Sequence, residues 1–202
     1  MEKILVWDLP TRVGHWLLVV AFAVSYLSGD SEEWRLIHVA AGYAMAGALV
    51  FRLFWGLAGT RYARFSSFLF SPRQVFSYLG ELASGKPAHW VGHNPAGSYA
   101  IYALLLLGMV VVGSGWAVYE DIGGEWLEEV HDAASYIMLG VVGLHVAGVI
   151  VSSRLHHENL VRSMITGYKQ GKAAEGITSS KKYWVVLLLA VVVSASLLTL
   201  VS

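Results

Sequence analysis

Apolar residues in this chain gather into long, nearly unbroken runs, unlike the one-faced helices or alternating strands of a water-soluble domain. Four such runs, over about 13–28, 36–55, 98–119 and 130–153, are each near or above the ~18 residues that carry a helix across a bilayer core. A fifth, 183–202, follows Lys181 and Lys182. The pattern predicts an all-α fold: an integral membrane four-helix bundle with an additional C-terminal transmembrane helix.

Polar positions mark the other elements. Roughly 40 residues separate the second and third runs. Within them Ser71 and Pro72 look like an N-cap and first helical position, and Val75, Phe76, Leu79 and Leu82 follow at helical spacing. This predicts an amphipathic helix lying on the membrane surface. A second amphipathic segment carries Leu160, Val161, Met164, Ile165 and Tyr168, and 171–182 reads as a linker. Residues 1–170 therefore form one transmembrane domain.

Composition agrees, with 56% hydrophobic and 14% charged residues. There is no cysteine, which excludes Fe–S clusters, covalently attached haem, thiolate metal sites and disulfides. The first run has a basic start, but no small-x-small pattern surrounds Ser25 to Gly29, so it reads as an uncleaved anchor. The formal net charge of zero hides an asymmetry. Asp30, Glu32, Glu33, Glu120, Asp121, Glu125, Glu128, Glu129 and Asp132 stand on one side with Arg35 as their only basic companion. Nearly all other cations stand on the opposite side. By the positive-inside rule the N-terminus is cytoplasmic, the runs alternate, and the C-terminus is periplasmic. The expected location is the bacterial inner (cytoplasmic) membrane, and no nucleic-acid partner is expected.

Ionisable side chains inside the runs are the candidates for chemistry, because each is costly in lipid and must meet a partner. His131 and His145 lie 14 residues apart, which puts them on one helix face, ~21 Å apart along its axis. One metal ion cannot use both, since its ligands lie within ~2–2.5 Å of a common centre. Two haem irons can, each taking a second imidazole from another helix. Given the orientation above, His15 and His145 fall on the inner side, and His38 and His131 on the outer. This pairing favours two non-covalent bis-histidine haems over four separate structural histidines, and a proton relay would need carboxylates that the runs lack. Imidazoles on both faces leave these irons no position for oxygen.

Arg52, 14 residues after His38, shares its helix face ~21 Å deeper. There it either binds the propionates of the inner haem or snorkels to the cytoplasmic interface. Gly14, Gly42, Gly47, Gly140, Gly143 and Gly148 are candidates for the close backbone approach that a flat macrocycle needs. His89 and His93 suit loop ordering, His156 and His157 an interfacial solvated pair, and Trp34, Trp116 and Trp126 an aromatic belt.

Several stretches carry a family likeness: Trp7-Asp8-Leu9-Pro10-Thr11-Arg12 leading to Gly14-His15-Trp16, Phe51-Arg52-Leu53-Phe54-Trp55-Gly56 with Arg61-Tyr62-Ala63-Arg64-Phe65 after it, Gly92-His93-Asn94-Pro95-Ala96-Gly97, and the segment from Glu158 to Gly167. Over about residues 4–170 the chain resembles the bacterial cytochrome b561 and Ni-Fe hydrogenase b-type cytochrome group. The resemblance implies a four-helix core holding two b haems. It also implies axial histidines at His15, His38, His131 and His145, and electron exchange with the quinone pool and a partner protein.

The expected function is that of a di-haem b-type cytochrome of a respiratory chain, carrying electrons between quinone and a periplasmic c-type cytochrome or oxidoreductase subunit. The acidic outer face would steer a positively charged partner. One alternative is a superoxide oxidase that reduces quinone, an activity the resemblance also implies, although an acidic surface repels an anion. Another is a non-redox haem-binding membrane scaffold. Whether the chain is only an electron-transfer subunit or itself has quinone oxidoreductase activity stays open. Arg61, Tyr62 and Arg64, beside the inner haem, mark the expected quinone region.

Overall fold

A computed structural model describes residues 2–200. Its elements in chain order are β1 (Glu2–Leu5), α1 (Leu9–Ser28), α2 (Arg35–Ala58), α3 (Pro72–Ala83), α4 (Pro95–Tyr119), α5 (Glu125–Leu155), α6 (Leu160–Thr166), β2 (Tyr168–Gly171) and α7 (Trp184–Leu197). Four helices, α1, α2, α4 and α5, are long and apolar enough to cross a membrane. These are the first four runs.

Local capping explains why the helices begin earlier than their apolar stretches. Asp8 caps α1 by accepting the Thr11 N–H at 2.8 Å, with Pro10 in the first turn. Asn94 does the same for α4 at Gly97, 2.7 Å away, with Pro95 as the first residue. The Ser71–Gln74 capping box opens α3 where the sequence predicts it. That helix buries Val75 and Tyr78 and exposes Phe76. With 31 residues, α5 rises ~46 Å and outreaches a ~30 Å hydrocarbon core. Its acidic first turn can therefore stand clear of lipid.

The long helices form two hairpins. α1 packs along α2, α4 packs along α5, and α2 joins the pairs by touching α4; α5 packs closely on α4 alone of the long helices. Met45, Leu49, Leu105, Val111 and Met138 form the central core. α7 runs antiparallel along the back of α2, from Trp184 beside Trp55 to Val192 beside Gly47. A Cβ on Gly47 would meet the Val192 backbone at 3.0 Å, and Leu188 lies against Gly14. Those two glycines therefore seat a helix rather than a macrocycle. Gly42, Gly140, Gly143 and Gly148 have open space beside them. After α7 a short turn covers Leu198–Leu200, and Val201 and Ser202, the end of the fifth run, lie outside the described residues.

The exception to the helical reading is a two-stranded antiparallel ribbon, with Glu2 paired to Gly171 and Leu5 to Tyr168. The apolar period through Tyr168 predicts helix there, but α6 stops at Thr166 because Gly167 turns left-handed, at φ +88°. The Gly167 carbonyl then accepts the N–H groups of Val6 and Trp7, at 2.8 and 3.0 Å. Residues 171–182 are tied down as well: the Ile177 N–H donates to Leu5 and the Tyr62 hydroxyl to Glu175, both at 2.8 Å.

Asp8 is fully buried where these parts meet. Besides the Thr11 N–H, its carboxylate accepts the Trp55 indole N–H at 3.1 Å and the Thr60 hydroxyl at 2.5 Å. Asp8→Ala strands these donors at a cost of ~1–3 kcal/mol each. We expect a clearly lower thermal midpoint for the detergent-solubilised protein, partly restored in Asp8→Asn; an unchanged midpoint in the alanine variant would show that this carboxylate is not the clamp.

Candidate functional site

His38 and His131 meet in the gap between the hairpins. His38 sits in the first turn of α2 and His131 in the second turn of α5. Their ring centroids are 6.0 Å apart and the ring planes are inclined at 76°. Each ring is held through Nδ1, His38 by the Ser25 carbonyl of α1 at 2.8 Å and His131 by the Val111 carbonyl of α4 at 2.9 Å. A carbonyl only accepts, so the neutral form of each ring carries its proton on Nδ1 and leaves a lone pair on Nε2. That is the state a metal-binding imidazole requires.

The supporting groups have local causes. Ser25 lies in the last turn of α1, where carbonyls lack intrahelical partners. Val111 is mid-helix and uses its second lone pair. Gly115, one turn further along α4, makes room: a Cβ there would lie 2.7 Å from Cε1 of His131. A cavity of about 200 Å³ adjoins the pair, bounded by Phe22, Tyr26, Gly42, Tyr43 and Trp116 along with both histidines. Trp116 thus lines a site in addition to standing near a span end.

The inner pair is assembled differently. His15 on α1 and His145 on α5 come within electrostatic range of each other, without the ring contact that joins the outer pair. His15 packs edge-on against Trp16 at 5.2 Å, and its buried Nδ1 has no hydrogen-bond partner among the described residues. Arg52 points into the protein: its guanidinium lies over the Phe65 ring at 4.8 Å and donates to the Ala63 carbonyl at 3.1 Å.

His93 is a neighbour of this region that spacing along the chain does not reveal. Its ring is wedged between Trp7, at 4.7 Å, and Phe68, at 4.3 Å, and its Nδ1 is buried without a partner. Burial, followed by the nearby Arg52 charge, pushes its pKa down to about 3, so it is neutral at physiological pH. Farther out, Glu158 pairs with Lys169 at 3.2 Å and reaches His89 at 3.6 Å, while the His89 and His156 rings pack at 5.4 Å. His156 is therefore packed rather than simply solvated. Tyr62, expected near a quinone, has its hydroxyl committed to Glu175.

A family model described as prokaryotic cytochrome b561 matches residues 6–167. The chain belongs to the prokaryotic cytochrome b561 family. The cytochrome b561 match takes in α1 to α6 and leaves α7 outside. Among curated relatives, a probable Ni/Fe-hydrogenase B-type cytochrome subunit of Rhodobacter capsulatus is 22% identical, over 84% of this chain and 82% of that protein. A protein of the same description from Cupriavidus necator is 24% identical, over 83% and 87%. A probable Ni/Fe-hydrogenase 1 B-type cytochrome subunit of Escherichia coli is 25% identical, over 57% and 60%. No solved structure matches the chain.

Membership in a cytochrome b family implies haem b, and the outer pair fits it. An imidazole nitrogen would bond a haem iron at ~2.0 Å with the ring centroid ~1 Å beyond, so two imidazoles sharing one iron would hold their centroids ~6 Å apart. The separation of His38 and His131 matches. Among the described residues no three His, Cys, Asp or Glu side chains converge on a point. A porphyrin needs only two protein ligands, because it brings four nitrogens of its own.

Gly115→Ala drives a methyl group into His131. In haem-loaded protein it should lower the b-type absorbance, while Gly113→Ala, with open space beside that residue, should leave it unchanged. Identical spectra for the two variants would refute the role given to Gly115.

Proposed function

We propose that this cytochrome b561 family member conducts electrons through the membrane between the quinone pool and a redox partner at its outer face. In this reading His38 and His131 hold an outer haem b, and His15 and His145 an inner one. The observation that carries it is the 6.0 Å histidine pair, with both Nδ1 atoms tied to carbonyls, set between the α1–α2 and α4–α5 hairpins. Bound there, haem supplies a one-electron iron couple.

The chain's own contribution is to position and insulate. The Ser25 and Val111 carbonyls lock the tautomer and rotation of the outer imidazoles, which makes them stronger donors. Apolar walls such as Phe22, Met45 and Val112 keep water from the outer cavity. α5 sets the depth of both sites, because His131 and His145, 14 residues apart, lie ~21 Å apart on one rigid axis. At the inner site Arg52 has donors beyond the one given to Ala63, and these suit the propionates.

The orientation follows the charge asymmetry: N-terminus cytoplasmic, acidic loops and C-terminus periplasmic. α7 and the turn after it make a fifth crossing along α2. The relatives named as hydrogenase B-type cytochrome subunits support an oxidoreductase subunit as partner, and the acidic outer face equally suits a small, positively charged c-type cytochrome.

The deciding measurement is the haem-to-chain ratio of purified protein, with reduced-minus-oxidised spectra of His131→Ala and His145→Ala. Two b haems should fall to one in each variant; one haem lost to either substitution alike would end the two-site reading. Raising ionic strength should slow electron exchange with a basic c-type cytochrome by weakening steering. A salt-independent rate would remove the acidic face from the account of partner binding.

A further inference from the structure

The outer end of the bundle has nine carboxylates and a single cation, Arg35. Arg35 opens α2 one turn before His38, and residues three apart on a helix are neighbours on its surface. Its guanidinium lies 5.9 Å from the centroid of the Tyr119 ring, and Tyr119 lines the cavity beside His38 and His131. Arg35 therefore reaches from α2 across to the end of α4, beside a residue that lines that cavity. Glu32 and Glu33 lie three and two residues before it, yet among the described residues no ion pair ties Arg35 to any carboxylate. Its guanidinium is placed over the ring of a residue that lines the outer cavity.

A haem in that cavity brings two propionates into surroundings already crowded with negative charge. The hydroxyl groups on the cavity wall, Ser25, Tyr26, Tyr43, Tyr119 and Ser135, can donate hydrogen bonds but carry no positive charge. A guanidinium does both, and its planar fork matches a carboxylate. We propose that Arg35 is the propionate anchor of the outer haem. The assignment rests on the reading of His38 and His131 as that haem's ligands. Arg35 also sets the potential of the outer centre, because a positive charge nearby favours the reduced form.

The test is an optical redox titration of the full-length haem-loaded protein and of Arg35→Gln, Arg35→Lys and His131→Ala. His131→Ala should delete one of two b-type transitions and so identify the outer one. Arg35→Gln should lower that transition alone, with about a tenfold change in its oxidised-to-reduced ratio at fixed ambient potential, or ~59 mV for a one-electron centre. Arg35→Lys should recover most of the shift. Selective loss of the outer haem in Arg35→Gln would support the assignment equally. An unmoved outer transition in Arg35→Gln, with His131→Ala still deleting it, overturns the anchor and leaves the outer site standing. Loss of both haems alike in Arg35→Gln makes Arg35 a general prop of the bundle and also overturns it. If His131→Ala keeps both haems, the outer-site reading fails and the anchor with it.

Discussion

The buried carboxylate of Asp8 is the contact on which the other elements are registered. A carboxylate without water is tolerable only when donors surround it, and here they come from three places: the first turn of α1, the end of α2 and the turn that follows α2. Satisfying Asp8 therefore fixes where α1 starts relative to where α2 finishes. His15 lies seven residues after it in sequence and Arg52 three before Trp55, so the same contact relates the level of His15 on α1 to that of Arg52 on α2. Trp55 extends the effect, since its ring stacks on Phe51 and meets Trp184 at the start of α7.

The ribbon of β1 and β2 reinforces that registration. By closing Glu2–Leu5 onto Tyr168–Gly171, it brings the chain after α6 back to the entrance of α1, with Trp7 against His93. Lys169, on β2, is buried and donates to the Trp90 carbonyl at 3.1 Å while pairing with Glu158. Burial lowers its pKa, and Glu158 opposes that by favouring the charged form. One lysine thus holds the loop that presents His93 to the inner region.

At the opposite end the organisation is looser. The hairpins are bridged by His38 with His131 and by Tyr26 with Tyr136, whose rings pack at 6.4 Å. Side chains, not closely packed backbones, span this gap. A flat cofactor requires an opening of this kind, and the same opening leaves the imidazoles dependent on carbonyls from α1 and α4 for their orientation. The orientation of these rings rests on four helices even though two supply them.

Much of this was legible from residue order, because lipid imposes a simple rule: a helix must be long and apolar to cross, and anything ionisable inside it needs a reason. That rule marks four spans and separates their histidines by depth, and Ser71 followed by Pro72 marks the start of α3. Resemblance to a family supplied the cofactor. Only the folded chain could show that Gly14 and Gly47 seat α7, that Gly115 makes room for His131, or that the Ser25 and Val111 carbonyls orient the outer rings. The reason is physical. Span length, apolarity and helical spacing are local properties of one segment, whereas backbone carbonyls, glycine clearances and the ribbon of residues 2–5 with 168–171 are relations between segments that carry no residue-type signal. The sequence by itself determined which helices are long and apolar enough to cross a membrane and how their histidines are spaced; the tertiary structure decided which of those side chains touch.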